Sequence, residues 1–171
     1  LHYLPPLKQK ENNVGIQEQA IYLSTPETNS FTINIYQGAI LTPISSITLS
    51  NANPYVYSLP NGDNNITFVD NANTGEILTN SGLRFESVNG ELFYVNYRGS
   101  QSAQGSSLTS KGRAALGKRF RWGGSPVIDG SQNTNATMGV MATEDGTTVQ
   151  VYGYNPDIVF RRGSLYNGIT D

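Results

Sequence analysis

The chain has no cysteine and a single histidine, His2. Disulfides, cysteine–zinc sites and thiol nucleophiles are thereby excluded. Neither a histidine metal cluster nor a Ser-His-Asp triad is expected from one histidine at position 2. Charge is scarce too: Asp, Glu, Lys and Arg make up 14% of the 171 residues, against about 25% in ordinary soluble domains. No apolar run approaches the ~20 residues of a membrane-spanning helix, so the chain is not expected to cross a membrane. No signal-peptide pattern is visible and there is no initiator Met, so Leu1 reads as the start of an already processed chain.

Polarity comes instead from 18 Asn, 16 Ser and 15 Thr, beside 18 Gly, 8 Pro and 10 Tyr. That is the composition of a turn-rich all-β protein. A chain of this length buries about 70% of its unfolded surface, enough for a core without disulfide staples. Net charge is −2 and unevenly spread. Residues 1–104 hold 4 basic and 8 acidic side chains, and residues 105–171 hold 7 and 5. This mild basicity is too weak to imply nucleic acid as a partner.

Short β-branched and aromatic runs predict strands at Ala20–Ser24, Phe31–Tyr36, Ile44–Ser50, Tyr55–Leu59, Ile66–Val69, Leu83–Ser87 and Leu92–Tyr97. Asn89-Gly90, between two alternating runs, predicts a hairpin with a type I′ turn. Further strands are expected at Arg119–Trp122, Met138–Thr143, Thr147–Tyr152 and Ile158–Arg161, with a polar loop over Gly123–Thr137. The fold expected is an antiparallel β-sandwich, Ig-like or jelly-roll-like, with a propeller-like or barrel arrangement as the alternative. Residues 1–19 read as an extended segment along the surface, because Pro5 and Pro6 oppose helix. Residues 20–98 read as a first β unit. Residues 99–118 read as a small-residue connector with one or two helical turns over Thr109–Leu116, capped by Ser107 or Thr109 and stopped at Gly117. Residues 119–171 read as the start of a second, incomplete unit.

That second unit rests on an internal repeat. IYLSTPETNSFTINIY at residues 21–36 is echoed by VMATEDGTTVQVY at residues 140–152. Thr25 answers to Thr143, Glu27 to Glu144, Ile33 and Ile35 to Val149 and Val151, and Tyr36 to Tyr152, at a spacing of 116–118 residues. A repeat usually marks a duplicated supersecondary unit. The early end of the second copy suggests a piece of a longer polypeptide; chance similarity is the plainer account.

Asn/Asp clusters at Asn61–Asn65, Asp70–Asn73 and Asp129–Asn135 have the oxygen chemistry of calcium loops, but none spells an EF-hand and turns favour the same residues. No other cofactor is expected. Glu27, Glu144 and Asp145 are the carboxylates a hydrolase would use. Their place in both copies favours a turn role, with Thr25 and Thr143 closing small hydrogen-bonded turns. Arg119, Arg121 and Trp122, with Tyr55 and Tyr57, are the candidate ligand- or partner-binding residues. The competing reading of Arg119–Trp122 puts Phe120 and Trp122 in a core and the arginines in water. Tyr22, Tyr36, Tyr94, Tyr97, Tyr152 and Tyr154 offer further amphipathic contact area. Asn65-Ile66-Thr67 and Asn135-Ala136-Thr137 are glycosylation sequons.

Four phrases occur in order: HYLPPL at His2–Leu7, IYLSTP at Ile21–Pro26, LTSKGRAALGKRFR at Leu108–Arg121 and MATEDGTTVQV at Met141–Val151. Together they resemble the N-terminal region of large secreted surface proteins of gliding Bacteroidota, the SprB-type adhesins. The region is similar to the N-terminal domain family named after the IgG-Fc-binding mucin-like protein. The resemblance implies export by the type IX secretion system and display outside the cell, at the outer membrane. It implies a non-enzymatic adhesin region, with protein partners in the export or motility machinery and a glycan or solid surface as a further target. It assigns no catalytic residues. The alternatives are a carbohydrate-binding module of a secreted polysaccharide-degrading enzyme, a subunit that polymerises by strand exchange, and a hydrolase.

Overall fold

The computed structural model describes residues 1–8, 16–62, 64–70, 73, 75–102, 104–123, 138–157, 160–162 and 165–167. Its strands are β1 (His2–Leu4), β2 (Leu7–Lys8), β3 (Glu18–Ser24), β4 (Phe31–Gln37), β5 (Ser45–Leu49), β6 (Tyr55–Ser58), β7 (Phe68–Val69), β8 (Leu83–Ser87), β9 (Tyr94–Gln101), β10 (Gln104–Ser110), β11 (Phe160–Arg162) and β12 (Leu165–Asn167). Eight of them form two antiparallel four-stranded sheets, ordered β1-β8-β4-β5 and β10-β9-β3-β6. The all-β sandwich expected from composition and patterning is what the chain forms; neither sheet closes into a barrel.

Period-two patterning builds the interior. In β4, Phe31, Ile33 and Ile35 face inward while Thr32 faces water. In β3, Gln19, Ile21 and Leu23 face inward, and in β9 Val95 and Tyr97 do. Ile21, Leu23, Val95 and Tyr97 meet these β4 residues and Leu4, Ile47, Leu49, Leu83 and Phe85 of the opposite sheet in one hydrophobic cluster. Burying each such side chain is worth about 1.5–3 kcal/mol.

The connections are nested. β3 pairs with β9 in one sheet, and the strands that follow and precede them, β4 and β8, pair in the other. A two-stranded antiparallel ribbon therefore folds over from one sheet to the other. This corrects the hairpin expected at Asn89-Gly90. β8 and β9 lie in different sheets, so the segment is a crossover. Gly90 has φ +89, but Asn89 stays outside the left-handed region that a type I′ turn requires. Instead, the Asn89 backbone N–H and side-chain amide donate to the Glu91 carboxylate at 3.2 and 3.1 Å.

Other expectations also change. The N-terminal residues do not lie along the surface. β1 pairs with Leu83–Phe85, and His2 and Leu4 are buried. Most of the expected connector at 99–118 is strand. β9 runs to Gln101, and β10 pairs with it from Gln104↔Gln101 to Ser110↔Val95. Its Ser/Gly-rich sequence gives little strand signal, and register with β9 supplies what the side chains do not. The helical turns shrink to a 3-10 helix at Gly112–Ala115, with Lys111 at its start and no side-chain cap. No strand forms at Arg119–Trp122, Met138–Thr143 or Thr147–Tyr152. Of the expected strand Ile66–Val69, β7 keeps Phe68–Val69, paired in parallel with β2. β11 overlaps the last expected strand and pairs with β12. Its residues 158 and 159 lie outside the described set, as do the loop at 124–137 and the sequon at Asn135.

Candidate ligand-binding surfaces

The opening phrase forms the corner of the sandwich. The Thr25 hydroxyl oxygen accepts the Glu27 N–H at 3.1 Å and donates to the Leu92 carbonyl at 2.5 Å. The turn expected at Thr25 is present, and it also ties one crossover to the other. The second copy is built differently. There the Thr147 hydroxyl donates to the Glu144 carbonyl at 2.7 Å, Gly146 has φ +70, and Glu144 and Asp145 are exposed.

Each candidate binding residue can be placed. Arg119, Arg121 and Trp122 are exposed, Trp122 by 56%, and so is Phe120. The reading that buried Phe120 and Trp122 fails because this segment has no strand to pair with among the described residues. Tyr55 and Tyr57 stand on β6, an edge strand. Tyr57 packs partly against the core, and burial pushes its hydroxyl pKa up, with a smaller contribution from Tyr55. The chain leaves this sheet from the opposite edge, β10, roughly 14 Å across three strand spacings. The structure therefore does not bring the tyrosines to Arg119 through the sheet. What it brings to Arg119 is the second copy of the phrase: Lys118, Arg119, Thr148, Gln150 and Tyr152 line an open polar groove of about 460 Å³.

A second groove, about 280 Å³, lies where β1 and β10 meet. It is lined by Tyr3, Pro5, Leu108, Lys111, Leu116 and Met141, among others. These residues come from three of the four ordered phrases. His2 closes the seam below: its Nε2–H donates to the Phe93 carbonyl at 2.9 Å, and its Nδ1 lies 3.1 Å from Ser110 Oγ. Ser110 Oγ is also 3.0 Å from the Tyr3 carbonyl, so its one proton serves either acceptor. Burial pushes the His2 pKa below its ordinary value, against a smaller pull from the Phe93 carbonyl. Gly112, at φ +61, allows this approach, since a Cβ there would lie 3.1 Å from His2 Cε1.

Inside the sandwich, Gln19 ties the far end together. Its side-chain oxygen accepts from Thr67 at 2.7 Å and from the Tyr97 hydroxyl at 3.3 Å, while its amide donates to the Pro60 carbonyl. Desolvation drives the Tyr97 pKa far above the ordinary range. Nearby, the Asn64 side-chain oxygen accepts the N–H groups of Ile66 and Thr67 at 2.7 and 2.9 Å, and Asn65 takes φ +58. These asparagines of the first calcium candidate shape the turn; Asp63 of that cluster, residues 71 and 72 of the second, and all of Asp129–Asn135 lie outside the described residues. Among the described residues no three His, Asp or Glu side chains cluster as metal ligands would.

Each sheet also carries a Tyr–Arg pair on its outward face. On one, the Arg84 guanidinium sits 4.0 Å from the Tyr36 ring centre, with its Nε buried and unpartnered among the described residues. On the other, Arg98 lies 5.3 Å from the Tyr22 ring centre and Nε donates to Asn96 Oδ1 at 3.0 Å. Tyr22 and Tyr94 stand among the tyrosines named from sequence; Arg98 and Asn96 do not. Their signal is alternation along β9, readable only once β9 is registered against β3. Comparison of the chain with protein-family models, with curated proteins and with solved structures finds no match.

Proposed function

We infer that this chain is a non-enzymatic binding domain of a large secreted cell-surface adhesin. In this reading it serves gliding motility or attachment to surfaces, and proteins of the outer-membrane export or motility machinery hold it. The observation that carries the reading is the groove between β1 and β10, where residues of LTSKGRAALGKRFR and MATEDGTTVQV converge with those of HYLPPL, which lies more than 100 residues before either in sequence. An apolar groove beside a sheet edge suits an extended segment of a partner protein. The test uses antibody raised against the chain. It should label intact, unpermeabilised cells that make the protein, and its Fab fragments should reduce their attachment to glass. Labelling only after lysis would overturn the reading.

A second reading, a carbohydrate-binding module of a polysaccharide-degrading enzyme, draws on the exposure of Trp122 beside Arg121. It requires Trp122→Ala to abolish polysaccharide binding.

A further inference from the structure

We propose that the outward face of the β10-β9-β3-β6 sheet binds a carboxylate-bearing polysaccharide. The proposal deepens the binding-domain reading and rests on it. Strand register puts Tyr22, Tyr94, Asn96 and Arg98 on this face, with Val56 and Ala20 beside Tyr22 and Arg98. Tyr94 is 52% exposed and Tyr22 44%.

The arrangement is set before any ligand arrives. The Asn96 amide donates to Ser107 Oγ at 3.2 Å and to Thr109 Oγ1 at 2.8 Å, which fixes its oxygen toward Arg98 Nε. The Tyr22 ring supports the guanidinium from one side. A side chain already held in place loses less freedom on binding. The terminal nitrogens of Arg98 have no acceptor among the described residues, and Arg98 forms no ion pair there. Glu18, on the same face opposite Ser100, stands one row beyond it. A free guanidinium fork matches a carboxylate with two parallel hydrogen bonds. Tyr94, diagonal to Tyr22 across β3 and β9, offers a ring to the apolar face of an adjoining sugar. An open sheet face admits a long polymer lying across the strands. The Arg84 pair on the other sheet is closed by comparison, its Nε buried against Tyr36.

Isothermal titration calorimetry of the full chain tests this with polygalacturonate oligomers and their methyl esters, which differ in the carboxylate charge. The acid should bind, and esterification should weaken binding about tenfold or more. Arg98→Gln should weaken acid binding as much and erase the difference between acid and ester. Arg98→Lys, which keeps charge but loses the fork, should fall between. Tyr94→Ala should weaken both forms, while Arg113→Gln, at an exposed charge on the 3-10 helix, should change neither. Unchanged thermal melts by circular dichroism establish that the variants fold. Equal affinity for acid and ester overturns the proposal, and so does loss of binding in an Arg119→Gln, Arg121→Gln double variant, a rival site, with Arg98→Gln silent. No binding at all also overturns it, while the cell-labelling and attachment results stand apart.

Discussion

Ile33 and Ile35 are fully buried between β5 and β8, whereas Val149, which answers to Ile33 in the second copy of the phrase, is 53% exposed. Tyr36 is half-buried against Arg84, and its counterpart Tyr152 is 59% exposed on a groove wall. The two stretches share an alternating pattern. They differ in their neighbours. β4 has a strand on each side, and residues 147–152 have none among the described residues. Alternation makes a segment fit for a sheet; cross-strand partners decide whether it becomes one. The first copy is therefore structural, and the second is free to serve as surface.

The largest expected test of that contrast is Ile33→Ala, which should cost about 2–5 kcal/mol in urea denaturation. Val149→Ala should stay within about 0.5 kcal/mol. Equal losses would mean that the second copy is packed after all. Next comes Gly99→Ala. A Cβ there would sit 2.5 Å from the Tyr97 hydroxyl, so about 1–3 kcal/mol should be lost. Tyr97→Phe should recover part of it in a double-mutant cycle. Gly123→Ala, with open space around its Cβ, should be silent. Thr25→Ala frees the Leu92 carbonyl and the Glu27 N–H, at about 1–3 kcal/mol. Thr143→Ala should again be near zero, and Thr25→Ser should keep most of the corner's stability.

The smallest effect is in pH. With the folded-state pKa of His2 below its unfolded value near 6.5, unfolding takes up a proton in that window. Stability should be full above 6.5 and decline as pH falls from 6.5 toward the folded pKa. His2→Gln should flatten this part of the curve. A slope that survives the substitution would place its source elsewhere than the β1–β10 seam.

The fold class and five strands of the two sheets could be read from the chain, because β3, β4, β5, β6 and β8 announce themselves by apolar or aromatic alternation. β10 did not, since Gly105, Ser106 and Ser107 carry no such signal and gain their place from β9. Asn89-Gly90 misled for a related reason. A turn signal reports local backbone preference, while β8 takes its partners from β1 and β4, about 50 to 80 residues back, and β9 pairs with β3 and β10 rather than with β8. Arg119–Trp122 has strand patterning and no strand to pair with among the described residues. Among the candidate site residues, exposure at Trp122 and the arginines agrees with a surface role, but their grouping with Thr148, Gln150 and Tyr152 depends on tertiary placement. Arg98 needed strand register to become visible.

The seam at His2 bears on the order in which the chain can fold. His2 contacts Phe93 and Ser110, 91 and 108 residues further on. Contacts so distant in sequence are slow to form, because a long loop must close before they return any stability. As synthesis proceeds, β1 waits for β8 to supply its sheet and for β10 to supply its seam. Until Ser110 is free the seam at His2 stays open, even where β8 already pairs with β1. Completion of the sandwich is thus timed by the arrival of β10 rather than by the synthesis of β1.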